Sequence, residues 1–204
     1  MPNFSKIYTR MLLKASRRRI FFGDFPRLLA TDITYTAVSG HRAFVIAIVD
    51  LYSRKTLAYN VVNTMDTYSC VETLLLAMTR YGIPEIFNSD QGSQFTSKEF
   101  TDELKAYGIR ISMDGRGRCR DNARMEWFWW ALKYEDLRIK EYKSLPQLRR
   151  GVQSYVNFYN GKRLHSALND QTPDAVYEKG LRKKTKDNSQ NAQTDTCNPS
   201  IEDV

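Results

Sequence analysis

The feature that most restricts how this chain can fold is the run Ala-Phe-Val-Ile-Ala-Ile-Val at positions 43–49. Seven apolar residues in succession fall far short of the ~20 that a membrane helix needs. They offer no polar face, so they read as the middle of a strand buried on both sides. Such a strand requires helices above and below it, which is the layering of a three-layer α/β domain. Its neighbours agree with this. Leu28 to Tyr35 is rich in apolar and β-branched residues, Val38-Ser39-Gly40 supplies a turn, His41 to Tyr52 forms the central strand, and Lys55 to Val62 alternates beside it.

The next segment changes period. Between Thr67 and Tyr81, Val71, Leu74, Leu75 and Met78 follow the spacing of one helix face, and Gly82 and Pro84 close it. Ile86 to Ser89 is a short strand, Ser97 caps a helix reaching Tyr107 and Gly108, and Ile109 to Met113 is a fifth strand. A long helix starts at Asp121 or Asn122 and runs to about Arg138, and another covers Leu145 to Tyr159 with Pro146 in its first turn. Three hairpin-connected strands followed by βα units predict an α/β fold with a mixed five-stranded sheet and helices on both faces.

The 204 residues carry a net charge of +8, unevenly spread. Residues 1–24 hold +5 and residues 144–186 hold +6, whereas 25–113 is near neutral at −1 and 187–204 holds −4. Basic segments flanking a neutral body are the footprint of a phosphate-backbone binder, although solubilising flanks have the same composition. The expected organisation is a basic arm over 1–24, a core with a C-terminal helical segment over 25–180, and a basic then acidic disordered tail over 181–204. Three widely spaced cysteines, Cys70, Cys119 and Cys197, fit a reducing compartment better than a disulfide or zinc scaffold. No membrane span or signal peptide is visible, so the expectation is a cytoplasmic protein.

Three acids stand out. Asp32 sits in the middle of the strand Leu-Leu-Ala-Thr-Asp-Ile-Thr-Tyr, where a carboxylate is costly unless it is paired or holds a cation. Asp90 ends a short strand just ahead of a glycine-containing turn, a place where α/β sheets present ligands. Glu126 lies on the helix that follows, among aromatic residues, with 35 residues between it and Asp90. Carboxylates converging from a strand, a strand end and a helix suit magnesium or manganese, and a pair of such ions serves phosphodiester chemistry. Asp121 is a rival third acid, but its place beside Asn122 before the helix fits an N-cap better. Asp50 is expected to pair with Arg54 or to support the site from behind.

Several stretches resemble one family: TDITY at 31–35, VDLYSRK at 49–55, NSDQGSQFTS at 88–97, GIRISMDGRGRCRDN at 108–122, FYNGKRLHSAL at 158–168 and TPDAVY at 172–177. In this order and spacing the chain is similar to the integrase core of bacterial insertion-sequence transposases of the OrfB type. These belong to the retroviral-integrase-like superfamily with a ribonuclease-H-like fold. The resemblance implies a metal-dependent DNA polynucleotidyl transferase that cuts and joins insertion-element ends, with Asp32, Asp90 and Glu126 as catalytic metal ligands for Mg2+ or Mn2+, two ions in all. It implies DNA as substrate, a homo-oligomer on DNA, a bacterial nucleoid setting and an upstream end-recognition protein. Family members usually carry a helix-turn-helix-like region before the core that residues 1–24 cannot hold, which leaves a fragment, an abbreviated member or a decayed copy as alternatives.

Lys133 completes the implied catalytic set. It follows Glu126 by seven residues, close to two helical turns, so both share a face. Without the resemblance it would read as an exposed helix lysine. Arg116, Arg118, Arg120 and Arg124, together with Lys162 and Arg163, are expected on phosphates. His165 reads as a hydrogen-bonded histidine rather than a ligand. Trp127, Phe128, Trp129 and Trp130 are more aromatics than one helix face can bury, so some face the sheet and another faces DNA or a partner. Two further readings compete with the transposase: a non-catalytic DNA-binding or assembly module of the same fold, and a plain metal-dependent nuclease.

Overall fold

A computed structural model describes residues 27–113 and 123–181. The expected arm over 1–24, most of the expected tail over 181–204, and Arg116, Arg118, Arg120 and Asp121 lie outside the described residues.

Five strands form one sheet: β1 (Leu28–Val38), β2 (His41–Asp50), β3 (Thr56–Val62), β4 (Ile86–Ser89) and β5 (Arg110–Met113), in the order β3-β2-β1-β4-β5. β1, β2 and β3 are antiparallel neighbours, and β4 and β5 add in parallel beside β1. β1 runs three residues past its expected end because its pairing with β2 continues to Val38 opposite His41. Only Ser39 and Gly40 remain for the turn, both at positive φ (48° and 80°), the backbone that two-residue hairpins need to match strand twist.

The 43–49 run is buried on both faces, as its composition requires. Ile46 and Ile48 face one core with Leu29, Phe87 and the helices α1 (Thr67–Tyr81) and α3 (Lys98–Ala106). Ala43, Val45, Ala47 and Val49 face the other, against α4 (Ala123–Leu132) and α5 (Leu145–Gly161). A register slip of one residue would exchange these two sets, so the packing fixes the pairing.

Caps set the helix ends. The Asp66 carboxylate accepts from the Ser69 amide (2.7 Å), and Gly82, at φ 78°, ends α1. Ser97 caps α3 by accepting from the Phe100 amide. Ahead of it a short helix α2 (Ser93–Thr96) occupies what the sequence reads as a turn. After Leu132 the chain passes through a π-helical stretch, Lys133–Leu137, before an α-helical turn at Arg138–Lys140. Within that stretch Asp136 is buried, with Tyr142 and Lys140 donating to its carboxylate. A final helix α6 over 173–181 returns Tyr177 to the α1 side of the sheet. No helix among the described residues is long and apolar enough to cross a membrane.

Candidate active site

The parallel pairing of β1 with β4 runs Leu28–Ile86, Leu29–Phe87 and Ala30–Asn88 and then stops. Two residues further along each strand come Asp32 and Asp90, so the register sets them level where the strands part. Asp90 leaves the sheet there, and its Oδ1 accepts from the Gly92 amide (2.9 Å) in a tight turn. A Cβ at position 92 would stand 2.9 Å from the same Oδ1, so a larger residue there makes the Asp90 side chain shift.

Glu126 comes from the opposite side, on the first turns of α4. That helix buries Met125, Phe128, Trp129 and Leu132, which leaves Glu126 on its exposed side. Trp129, one turn after Glu126, donates its indole Nε1–H to Asp32 Oδ2 (2.9 Å), while the Ile33 amide donates to Oδ1 (2.7 Å). Burial pushes the Asp32 carboxyl from its usual 3.8 up to about 6. The charges of Asp90 and Glu126 push the same way, against the two hydrogen bonds. Asp90 and Glu126 thus stand within electrostatic reach of Asp32.

The regular α-helix ends at Leu132 and Lys133 opens the π-helical stretch, so the two-turn spacing from Glu126 reaches one residue past the α-helix. The Lys133 Nζ sits 5.8 Å from the Tyr35 ring centroid on β1. Among the described residues no three histidine, cysteine or acidic side chains stand close enough to grip a metal ion. The donors fit a hard divalent cation in kind, being carboxylates from three elements, and oxygens of Asp32 and Asp90 accept from backbone amides and an indole.

The other expected residues are distributed as follows. Arg124 and Lys162 are exposed. Arg163 is held by a bidentate ion pair to Glu135 (Nη2–Oε1 2.6 Å, Nε–Oε2 3.0 Å), and Tyr155 donates to the same carboxylate. His165 is buried, stacked edge-on against Tyr159 at 4.8 Å, in keeping with a structural histidine. Asp50 pairs with Arg27 rather than Arg54: the Arg27 Nε lies 3.7 Å from its Oδ2, and Ser53 donates twice to its Oδ1. Arg54 adopts a left-handed backbone (φ 62°) as part of the turn after β2, whereas Arg27 enters β1 fully buried. Of the aromatic run, Phe128 and Trp129 are buried, and Trp127 and Trp130 are 64% and 48% exposed. Sequence reasoning passed over Trp129 as a partner of Asp32, though its place one turn after Glu126 was the available signal.

The integrase core domain family matches residues 26–119, and a second family of the same description matches residues 107–173. The transposase InsK of insertion sequence element IS150 from Escherichia coli K12 is 30% identical over 146 residues, covering 70% of this chain and 51% of that protein. The transposase InsF of insertion sequence IS3A, from the same organism, is 30% identical over 155 residues, 74% of this chain and 54% of its own. The chain belongs to the integrase core family of insertion-sequence transposases. It spans about half the length of the curated relatives it matches. Among solved structures, the HTLV-2 integrase catalytic core domain in complex with magnesium superposes on this integrase core with a TM-score of 0.53 at 18% identity. That match covers 76% of this chain and 98% of the other. A simian T-cell lymphotropic virus intasome in complex with the PP2A regulatory subunit B56 gamma gives 0.58 at 15% identity, covering 86% and 67%. The likeness is one of fold, the ribonuclease-H-like sheet covered by helices on both faces.

Proposed function

We propose that this integrase core cuts DNA at insertion-element ends and joins the freed 3′-hydroxyl to target DNA, using Asp32, Asp90 and Glu126 to hold one or two Mg2+ or Mn2+ ions. What supports the reading is the β1–β4 register, which sets Asp32 level with Asp90 where the strands part, together with the charge of Glu126 reaching Asp32, whose carboxyl is raised to about 6 chiefly by burial. When bound, divalent metal activates a water or 3′-hydroxyl and stabilises the leaving oxygen. The chain's own groups do the rest. Trp129 and the Ile33 amide fix the rotamer of Asp32, the Gly92 amide fixes that of Asp90, and the Lys133 ammonium serves a phosphate oxygen beside the scissile bond.

Arg116, Arg118, Arg120, Arg124 and Lys162 serve DNA phosphates in this reading, and Arg163, expected with them, is held by Glu135. The same reading gives DNA ends and target as substrates, a homo-oligomer on DNA, a separate upstream end-recognition protein and a place at the bacterial nucleoid. It also divides the chain into a basic arm, the core over 25–180 and a tail.

The test is cleavage and joining of labelled element-end DNA with magnesium or manganese, comparing the unaltered chain with Glu126→Gln and Asp90→Asn. Joined products from the unaltered chain alone support the proposal. Cut but unjoined products would make it a nuclease, and equal activity in the variants would remove these acids from the chemistry.

A further inference from the structure

A quarter-turn around α4 from Glu126, a second site is built that the chemistry above does not use. A cavity of about 480 Å³ opens between α4, the turn after β2 and the loop after α5, lined by Arg54, Arg124, Trp127, Tyr159, Arg163 and His165. This volume falls within the roughly 300–1,000 Å³ range of pockets that take one small ligand, and it is far too narrow for a duplex. Three guanidiniums meet one lining carboxylate, Asp170, so the lining is net positive. Arg163 is neutralised by Glu135, whereas Arg54 and Arg124 have no carboxylate within ion-pair distance among the described residues.

Arg54 is held there at a backbone cost, at φ 62°, with its amide bonded to the Asp50 carbonyl (2.7 Å) and Asp50 itself fixed by Ser53 and Arg27. Burial, together with the charges of Arg163 and Arg54, drives His165 down to about 4, so it is neutral. Its Nε2, in a residue only 6% exposed, has no hydrogen-bond partner. Two guanidiniums without an ion-pair partner among the described residues and an exposed indole together match a nucleotide and exceed what a bare phosphate requires.

We propose that this cavity receives one unstacked nucleotide of the DNA strand that runs past the acids, its phosphate between Arg54 and Arg124 and its base stacked on Trp127. The assignment rests on the reading of the chain as a DNA-processing core, in which Arg124 already meets the DNA backbone, and adds to it a pocket for one base. Arg124 stands two residues before Glu126 and Trp127 one after it, so a strand leaving the cavity along α4 passes Glu126. An extruded nucleotide costs least at an end or in an already single strand.

The experiment is fluorescence anisotropy of the full chain in EDTA with two labelled probes, a single-stranded oligodeoxynucleotide and an abasic strand of equal length. Trp127→Ala is expected to weaken binding of the base-bearing strand by at least about fivefold and to leave the abasic strand unaffected. Arg54→Gln is expected to weaken both and to lower the salt slope by about 0.7. Trp127 is exposed and Arg54 half-buried, and circular dichroism checks that the fold survives in both variants. Equal losses on the two strands with Trp127→Ala, or losses from Arg54→Gln alone, overturn the base assignment. Because the assay contains no divalent metal, it is independent of catalysis. A chain that cleaves DNA while both variants bind as the unaltered chain does overturns the cavity assignment and leaves the proposed function standing. Binding as expected from a chain that never cleaves does the reverse.

Discussion

Asp32→Asn should make the metal-free protein more stable. The Asp32 carboxyl titrates near 6 instead of 3.8 chiefly because it is buried, with Asp90 and Glu126 adding to the effect. A folded-state pKa above the unfolded one means that the folded chain binds this proton more tightly, so the group favours folding at low pH and that contribution is lost as pH climbs from 3.8 through 6. At 1.36 kcal/mol per pK unit, the ionised carboxylate costs roughly 3 kcal/mol at about pH 7.5 and roughly 1.6 kcal/mol at about pH 5. Asparagine removes this cost but keeps only one acceptor oxygen for the Ile33 amide and the Trp129 indole, forfeiting about 1 kcal/mol. The expected net gain is therefore about 2 kcal/mol at the higher pH and under about 1 kcal/mol at the lower. Urea unfolding in EDTA at the two pH values reads it directly, and a gain of about 2 kcal/mol raises Tm by roughly 4–8 °C for a chain of this size. A variant no more stable than the unaltered chain at the higher pH, or one whose gain fails to shrink at the lower, would refute the reasoning.

Other substitutions probe the site and its support. Gly92→Ala forces the Asp90 carboxylate to turn from the Gly92 amide, so cleavage should slow by about tenfold or more while urea unfolding moves by less than about 1 kcal/mol. Phe128→Ala empties a fully buried site between Trp129 and Tyr159, and chemical denaturation should show a loss of about 3–5 kcal/mol. Lys133→Ala should lower the salt slope of duplex binding by about 0.9, the value for one lost phosphate contact; an unchanged slope would place the ammonium away from DNA.

The sequence by itself determined the elements and the chemistry they carry. The 43–49 run demanded cover on both faces, and the structure supplies it; the spacing at 71, 74, 75 and 78 gave a helix with the bounds Thr67–Tyr81; and Ile86–Ser89 emerges as read. Asp32 was legible as costly in its strand, and burial raises its pKa as that cost requires. These are local properties, set by side-chain period, capping and the penalty for a charge among apolar neighbours. What the tertiary structure alone decided depends on how distant segments are offset and rotated. The register of β1 against β4 puts Asp90 level with Asp32, and the rotation of α4 chooses Trp129 over Trp127 or Trp130 to meet that carboxylate. Asp50 finds Arg27, far behind it in sequence, instead of nearby Arg54, because the left-handed turn carries Arg54 away. That displacement also brings Arg54 together with Arg124, Arg163 and His165 around one cavity, a grouping that no periodicity encodes.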